Sequence, residues 1–300
     1  MKGLGGFHLA CDACDERAVA ALRRRKHREA KPLAVMLRDL ATVARHCECG
    51  PAEVELLGAP ASPIVLLRRR PGSTIALDVA PDSAEIGVML PYTPLHHLLL
   101  EPGHDAVEAL VMTSGNLSDE PIATDNQDAR DRLGPMCDAL LMHDRPIRTR
   151  CDDSVTRVFA GTPYFLRRSR GYAPYPVVLP RPMPPLLAVG AELKNVFALT
   201  RGASAFLSHH IGDMENLQTL QAFEDGVRHL ERLMRISPEA LAHDLHPDYL
   251  ATRYALDRSE ATGLPALAVQ HHHAHVAACM ADNGLDGDRP VIGVTYAGKG

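Results

Sequence analysis

Cations and small polar side chains suited to a phosphate-bearing ligand occur at two places in the first half of the sequence. Lys26 and Arg28 are one residue apart, and Lys31 follows, where a predicted helix gives way to a predicted strand. Lys offers a mobile point charge and Arg a planar fork of donors, and both bind phosphates. Ser114 and Asn116 come directly after the apolar run ALVMT, and the ends of strands are where α/β sheets usually bind ligands. A basic helix end and a simple Ser-Gly-Asn turn are the ordinary structural explanations of these patterns.

A histidine cluster in the second half suggests a different chemistry. Four of the five residues from His271 to His275 are histidine. If this segment is helical, His271 and His275 lie one turn apart on one face, the spacing at which two imidazoles bind one metal ion. Core packing does not readily explain so many histidines. The pattern therefore predicts a metal site.

Composition limits the class of protein that could carry these groups. A chain of 300 residues with 46% hydrophobic content is large enough for two domains with cores of their own. No apolar run approaches the roughly eighteen residues of a membrane span. The first residues, MKGLGGFHLACDACDE, become acidic too early for a signal peptide, so a cytoplasmic protein is expected. The net charge of −5 argues against broad binding to nucleic acid.

The predicted elements indicate two domains. Six prolines fall within residues 174–185, and such a run favours an extended linker because proline lacks the backbone donor. We therefore predict a first domain over residues 1–175, a linker over residues 176–185 and a second domain over residues 186–300.

Strands mixed with helices place both domains in the α/β (α+β) class. In the first domain helices are predicted over residues 16–28 and 40–46, and five apolar runs are predicted as strands: GGFHLAC, KPLAVML, SPIVLLRR, EIGVMLP and ALVMTSGN.

The second domain is predicted to open with β-hairpins that break at Gly190 and at Arg201-Gly202. A helix over residues 217–234 follows, and ALAHDLHPDYLATRYA is expected to be strand-like. The last segment, PVIGVTYAGKG, is predicted as a strand that runs into glycines, which suggests an unfinished domain.

Read together and in order, the motifs of the first domain closely resemble the YrdC-like domain of the HypF family. They are KGLGGFHLACDA, RRRKHREAKPLAVM, PYTPLHHLLL, LVMTSGNLSDEPIA, DDSVTR and LRRSRGYAP. Related YrdC/TsaC enzymes make a carbamoyl-adenylate on the path to threonylcarbamoyl-tRNA, and their Lys-x-Arg and Ser-x-Asn motifs match Lys26 with Arg28 and Ser114 with Asn116. The resemblance implies a YrdC-like twisted sheet whose matched residues bind ATP, with Mg²⁺, and a carbamate-like substrate.

Three further residues of this domain are expected at the nucleotide site. Lys31 belongs to the cation group beside Arg28, and Ser154 and Arg168 lie in the later motifs. The resemblance implies that they contribute to binding the nucleotide.

The second domain resembles the other half of the same family through LLAVGAELKNVFAL, AFLSHHIGDMEN, DLHPDYLAT and VQHHHAHVAA. That half is similar to TsaD-type carbamoyl-transferring domains, which have an actin/sugar-kinase-like fold. The resemblance implies that His271 and His275 bind Zn²⁺ or Fe²⁺, that Lys194 lies near the nucleotide, and that His246 and Asp248 belong to the site. A turn capped by aspartate at a strand end is the structural alternative for the last two.

The resemblance implies an enzyme that activates carbamate with ATP and transfers the carbamoyl group to the C-terminal cysteine of HypE during nickel–iron hydrogenase maturation. Carbamoyl phosphate is the expected source of carbamate. Family members usually carry an acylphosphatase-like domain and zinc-finger modules, which have no counterpart in this sequence, and part of the transferase domain is also missing. The chain is therefore expected to be truncated at both ends, with an incomplete second domain.

Two other functions stay open at this point. One is an enzyme of tRNA threonylcarbamoyladenosine synthesis, because both halves have relatives there, although fusion of the two halves favours the HypF-type function. The other is a non-catalytic module that binds double-stranded RNA, against which the charge of −5 speaks.

Overall fold

The structure, a computed structural model, describes residues 1–103, 106–116 and 120–296. The chain divides into two compact units. The first comprises Met1–Ser118 and Ile122–Tyr172, and the second comprises Asp119–Pro121 and Ala173–Gly300. Within the described ranges, no helix has both the length and the apolar character required to cross a bilayer.

The first unit is a twisted mixed sheet with helices packed against it. Its strands are β1 (His8–Asp12), β2 (Ala34–Leu37), β3 (Ile64–Arg68), β4 (Glu85–Met89), β5 (Ala109–Ser114), β6 (Val155–Phe159) and β7 (Thr162–Arg167). Its helices are α1 (Glu16–Lys26), α2 (Leu40–His46), α3 (Pro51–Gly58), α4 (Pro94–Leu99) and α5 (Asn126–Leu133).

The strand order of this sheet is β1-β5-β2-β4-β3-β6-β7. Strands β2 and β4 pair in parallel, as do β3 and β6, and the other neighbours are antiparallel. Val35, Val65 and Val111 are fully buried on three strands of this sheet, β2, β3 and β5, and belong to one apolar core. All five strands predicted in this part of the sequence are confirmed, and β5 ends at Ser114, within the Ser-x-Asn motif.

Helix α1 carries the first cation of the Lys-x-Arg motif. Its start is fixed by Asp15, whose carboxylate accepts hydrogen bonds from the first backbone N–H groups. Val19 and Leu22 are buried and anchor the helix on the core. The helix ends at Lys26, two residues before the predicted end, because His27 adopts a left-handed conformation with φ of 50°. The turn at His27 separates Lys26 from Arg28.

The second unit contains a smaller sheet and three helices. Its strands are β8 (Pro176–Met183), β9 (Leu186–Ala188), β10 (Ala198–Leu207), β11 (Ala240–Asp244) and β12 (Ala266–Val269). Its helices are α6 (Leu217–Met234), α7 (Leu250–Thr262) and α8 (His271–Asp282). The strand order is β12-β11-β9-β10-β8, with β12, β11 and β9 parallel to one another and the other pairs antiparallel.

Helix α6 provides much of the core of this unit. Phe223, Val227 and Leu230 are buried at helical spacing. The ring of Phe223 meets those of Phe197 and Tyr254 edge-on, with centroids 5.3 and 5.1 Å apart. The helix occupies the residues that the sequence predicts, 217–234, and begins after Asn216, which caps it through its side chain.

The proline-rich segment differs from its prediction. Residues 176–185 were expected to form a linker, yet Pro176–Met183 form β8 and pair with β10. Proline is compatible with this position because β8 is the last strand of the sheet in the described part of the chain, where one row of N–H groups meets no described partner strand.

Three other predictions in the second unit are wrong. Arg201 and Gly202 lie inside β10, where a shift in register next to Gly202 replaces the expected break. Only the first part of ALAHDLHPDYLATRYA is a strand, because the chain turns after Asp244 and enters α7 at Leu250. Residues 290–296 form no strand. The glycines predicted to follow lie in residues 297–300, outside the described ranges.

Candidate functional site

The side chain of Lys26 points from the end of α1 to the turn that follows β5. Its ammonium donates hydrogen bonds to the carbonyl oxygens of Ser114 and Asn116, at 2.6 and 3.0 Å, and to Asn116 Oδ1 at 2.8 Å. Lys26 is only 5% exposed. The two motifs that the sequence suggested separately are therefore one structure, and each acceptor of the lysine is a neutral oxygen.

Arg28 lies on the other side of the left-handed turn, and its hydrogen bonds to described residues also go to neutral oxygens. Its guanidinium donates to Thr113 Oγ1 at 3.0 Å and to the carbonyl oxygens of Lys31 and Pro32, at 3.2 and 2.5 Å. Thr113 is the penultimate residue of β5. Lys31 itself is exposed at the rim of this group.

Arg23 is a residue of the site that sequence reasoning missed. The basic stretch around it could be explained as a solvated helix face, but Arg23 is 8% exposed. Its guanidinium donates to the carbonyl oxygens of Arg28, Glu29 and Lys31, at 2.9, 3.1 and 3.3 Å. Arg23 therefore holds the loop that positions Arg28.

The Ser114–Asn116 turn is shaped by close backbone approach and by its own side chains. A Cβ on Gly115 would lie 2.8 Å from the carbonyl oxygen of Phe7, so only glycine fits without a shift. Ser114 Oγ donates to Asn116 Oδ1 at 2.8 Å. Since that oxygen also accepts from Lys26, the orientation of the carboxamide is fixed by two donors. Leu117, Ser118 and Asp119 of the same motif lie outside the described residues.

Burial, together with neighbouring positive charge, lowers the pKa of both cations. Burial, followed by repulsion from Arg28 and Lys31, lowers the pKa of Lys26 to about 7. Burial and neighbouring arginines lower the pKa of Arg28 to about 10. Asp152 opposes both shifts but is itself paired with Arg167. The site therefore has excess positive charge, which an anionic ligand would relieve.

The two later residues predicted at this site have different surroundings. Ser154 is fully buried; its hydroxyl donates to the carbonyl oxygen of Arg170 at 2.9 Å and accepts from the Ser169 N–H at 2.7 Å. These bonds connect the chain segments before β6 and after β7. The guanidinium of Arg168 lies 5.7 Å from the centre of the Phe165 ring. A role for either residue in nucleotide binding stays a prediction.

In the second unit, the first turn of α8 brings two imidazoles together. The helix begins at His271 and is capped by Gln270. His271 Nε2 and His275 Nε2 are 3.2 Å apart. Two nitrogens bound at about 2.0–2.1 Å to one tetrahedral zinc ion would be separated by roughly 3.3 Å, so the pair has the spacing of two ligands of one metal ion.

The rest of the cluster does not share this arrangement. His272 Nδ1 lies 2.8 Å from the Gln270 amide, and His273 is exposed. No group of three or more histidine, cysteine or carboxylate side chains within the described ranges could hold a metal ion. His271 and His275 thus fit a metal as two of its ligands, and any others must be water, substrate or groups outside this set.

Asp244, at the end of β11, is a second residue that the sequence did not reveal. Its Oδ2 lies 2.7 Å from His271 Nδ1, and its Oδ1 accepts from the His246 N–H at 2.9 Å. From sequence alone, an aspartate at the end of a strand is usually interpreted as the cap of a turn. Its contact with His271, 27 residues away, depends on β11 and β12 being neighbours.

The other predicted residues of the second unit lie on turns. His246 stacks on Tyr249 with ring centres 4.2 Å apart, and the Asp248 N–H donates to His246 Nδ1 at 3.3 Å. Lys194 has a φ of 51°, and its N–H donates to Asp213 Oδ1 at 2.6 Å. The structure brings His246, but not Lys194, into contact with the surroundings of the histidine pair, through Asp244.

Comparison with known proteins identifies the family of each unit. Residues 1–169 match the Sua5/YciO/YrdC family, whose model is described as "Telomere recombination". Residues 181–282 match the model described as "HypF Kae1-like domain". The chain is therefore a YrdC-like domain followed by a Kae1-like domain.

Curated relatives contain both domains. The chain is 48% identical over 316 residues to "Carbamoyltransferase HypF2" of Cupriavidus necator, which covers 100% of this chain and 39% of the relative. It is 47% identical over 301 residues to "Carbamoyltransferase HypF" of a Synechocystis species, with 100% of this chain and 38% of the relative covered. The chain belongs to the HypF carbamoyltransferase family and spans about two fifths of the length of these relatives.

A solved structure agrees with this assignment. The chain superposes with a TM-score of 0.88 on "full-length HypF in the phosphate- and nucleotide-bound form", at 46% identity, covering 95% of this chain and 37% of that one. The α/β fold expected from the sequence, with a YrdC-like domain followed by a Kae1-like domain, is confirmed.

Proposed function

We propose that this chain provides the carbamate-activating part, and a portion of the carbamoyl-transferring part, of a HypF-type enzyme. The first unit would bind ATP and carbamate and form carbamoyl-adenylate. The carbamoyl group would then pass to the C-terminal cysteine of HypE in hydrogenase maturation. Carbamoyl phosphate would supply the carbamate. The family to which the chain belongs supports the general activity, and the named substrates and partner are part of the proposal.

The observation that carries the first half is a buried ammonium and a half-buried guanidinium whose hydrogen bonds, within the described part of the chain, go to neutral oxygens. The bonds of Lys26 and Arg28 fix their positions without cancelling their charge. Buried charges are normally paired, because desolvation makes an isolated one costly. Such a site is suited to a ligand that carries several negative charges, and the triphosphate of ATP is one.

The proposed reaction needs positioning and positive charge more than a strong base. An oxygen of carbamate attacks the α-phosphorus of ATP, an O–P bond forms, and the bond to pyrophosphate breaks. Lys26 and Arg28 would stabilise the charge that builds on the phosphoryl and departing oxygens, together with Mg²⁺ bound to the nucleotide. Asn116, whose carboxamide is oriented by Lys26 and Ser114, would position the carbamate.

In the second half of the reaction, the thiolate of the acceptor cysteine attacks the carbonyl carbon. A C–S bond forms, the C–O bond breaks, and AMP leaves. His271 and His275 would hold a Zn²⁺ or Fe²⁺ ion, which supplies Lewis-acid stabilisation to a phosphate or carbonyl oxygen. Their facing Nε2 atoms, 3.2 Å apart, support this role.

Carbamate-dependent exchange of labelled pyrophosphate into ATP tests the activation step without needing the acceptor protein. We expect exchange by the wild-type chain, and a loss of about ten- to a hundred-fold in each of Lys26→Ala and Arg28→Ala. That loss corresponds to about 1.5–3 kcal/mol for a charge-assisted contact.

Arg24→Ala is the matched control, because Arg24 is a cation of the same last turn of α1 but is exposed. It should retain exchange at close to the wild-type rate. Wild-type exchange in both Lys26→Ala and Arg28→Ala would refute the assignment of these residues.

A further inference from the structure

The carboxylate of Asp244 lies between two groups that belong to different parts of the second unit. Oδ2 lies 2.7 Å from Nδ1 of His271, the first residue of α8. Oδ1 accepts from the backbone N–H of His246, in the turn between β11 and α7, at 2.9 Å. Both oxygens therefore have a defined partner.

The position of this carboxylate is fixed from several directions. Its side chain is 8% exposed, whereas that of His271 is 28% exposed. The carbonyl oxygen of Asp244 accepts from Thr252 Oγ1 at 3.2 Å, and the next residue, Leu245, donates its N–H to Val269 O at 3.1 Å. A residue held at its backbone and at both carboxylate oxygens can orient a more exposed neighbour.

The bond to Asp244 determines which nitrogen of His271 can act as a ligand. An ionised carboxylate only accepts hydrogen bonds, so the proton of the imidazole lies on Nδ1. The lone pair is then on Nε2, the atom that faces His275 Nε2. Metal-binding histidines commonly have such a partner on the other ring nitrogen, which fixes the tautomer and the ring orientation.

We propose that Asp244 is a positioning residue for the metal pair. It holds His271 in the tautomer that presents Nε2 and ties the ring to the turn that carries His246. This inference rests on the proposed metal site, because it assigns a supporting residue to that site. It also implies that a ligand contacting the His246 turn and a metal bound by α8 would influence each other through one carboxylate.

Zinc titration of the whole chain by calorimetry tests the proposal. The His271→Ala/His275→Ala double variant measures the background, which is zinc binding by other thiols and imidazoles. Asp244→Asn should weaken zinc binding by about ten- to a hundred-fold, the usual effect of losing such a partner. Asp257→Asn is the matched control: it removes the same charge from an exposed position on α7 and should bind zinc as the wild type does.

A second measurement uses the unaltered sequence and does not depend on how the variant folds. Nitrogen chemical shifts of the metal-free chain, with histidine labelled and His271 assigned by its absence from His271→Ala, report the tautomer. We expect the proton on Nδ1. A proton on Nε2, or zinc binding by Asp244→Asn equal to wild type, would overturn the positioning role. Failure of the wild type to bind zinc above background would instead overturn the metal site itself.

Discussion

The Lys26–Arg28 site and the His271–His275 pair differ in the charge that each holds before a ligand arrives. The first collects cations whose pKa values are lowered by burial and by mutual repulsion. The second presents two imidazoles, with one carboxylate behind them. The first site is suited to an anionic ligand and the second to a metal cation. One chain therefore carries two candidate sites for ligands of opposite charge.

The two sites also differ in the sequence separation of the residues that form them. Lys26 reaches an acceptor 88 residues away, and the turn that receives it needs a glycine against Phe7. The histidine pair forms within one turn of a helix. The cation site therefore depends on tertiary structure, which brings neutral hydrogen-bond acceptors to the charged groups. The histidine pair needs little more than helical spacing and one carboxylate that is distant in sequence.

The largest effect should come from removing one imidazole of the pair. His271→Ala or His275→Ala leaves a single nitrogen where two face each other, so we expect zinc affinity to fall by at least about a hundred-fold, since a lone imidazole cannot chelate. Metal content after dialysis against a competing chelator measures it. His273→Ala is the control, because this residue is exposed on the same turn; equal loss from all three variants would contradict the helical-face argument.

Gly115→Ala should impair one site and leave the other intact. The added Cβ would meet the Phe7 carbonyl at 2.8 Å, so the turn must move away from Lys26. We expect ATP affinity to fall by about ten-fold, in line with about 1–2 kcal/mol for disturbed bonds of a charged donor. Fluorescent nucleotide titration gives the affinity, and zinc binding in the same variant should be unchanged. Unaltered ATP binding would show that the turn is not part of the nucleotide site.

A pH-dependent effect of similar size follows from the lowered pKa of Lys26. Its ammonium is mostly charged below about pH 7 and mostly neutral above it, and the charged form binds the anion better. Affinity for ATP should therefore fall as pH rises through 7, by about ten-fold between pH 6 and pH 8. Burial of the ammonium, followed by repulsion from Arg28 and Lys31 and opposed by the attraction of Asp152, sets this pKa.

Lys26→Arg separates this effect from the titration of ATP itself. Arginine stays charged across the range, so the ratio of wild-type to variant affinity isolates the lysine. The ratio should decline with rising pH at constant Mg²⁺ and ionic strength. A ratio that is flat from pH 6 to pH 8 would exclude a neutral Lys26 in this range.

The smallest effect is expected at the start of α1, away from the ligand-facing groups. Asp15→Ala removes the cap that accepts from Arg17 and Ala18. Thermal or denaturant unfolding should show a loss of about 1 kcal/mol in the free energy of unfolding of the first unit. Pyrophosphate exchange below the unfolding transition should stay within two-fold of wild type, a limit of about 0.4 kcal/mol. A larger loss would mean that the cap also positions Lys26.

Local signals predicted much of the fold, and long-range contacts account for what they missed. Strands β1–β5 and helix α6 follow from apolar periodicity, and the bounds of α2 and α6 agree with the prediction. The predicted strand extends past Asp244 because the prediction does not treat the residues of the turn, which include Pro247 and Asp248, as a break before α7. Composition alone favours a linker for the proline-rich segment, because nothing in it indicates that another strand, β10, pairs with it.

The candidate sites show the same difference between what local sequence signals predict and what only long-range contacts reveal. The resemblance of their motifs to the YrdC-like family, more than residue types and spacing alone, predicted Lys26, Arg28, Ser114 and Asn116. The structure brings these four together. The supporting roles of Arg23 and Asp244 could not be predicted in this way, because a buried arginine in a basic run and an aspartate after a strand have ordinary explanations. Only their partners, distant in sequence, distinguish them.

The two edge strands of the second sheet differ in how readily they could pair with a strand of another molecule. Prolines at positions 176, 180 and 182 interrupt the donors of β8, which makes that edge a poor template for an added strand. At the opposite end of the order, β12 contains no proline over Ala266–Val269 and pairs only with β11 among the described strands. Of these two edges, β12 is therefore the one more open to pairing with a strand of another molecule, and a single proline or lysine there is the change that would oppose such pairing.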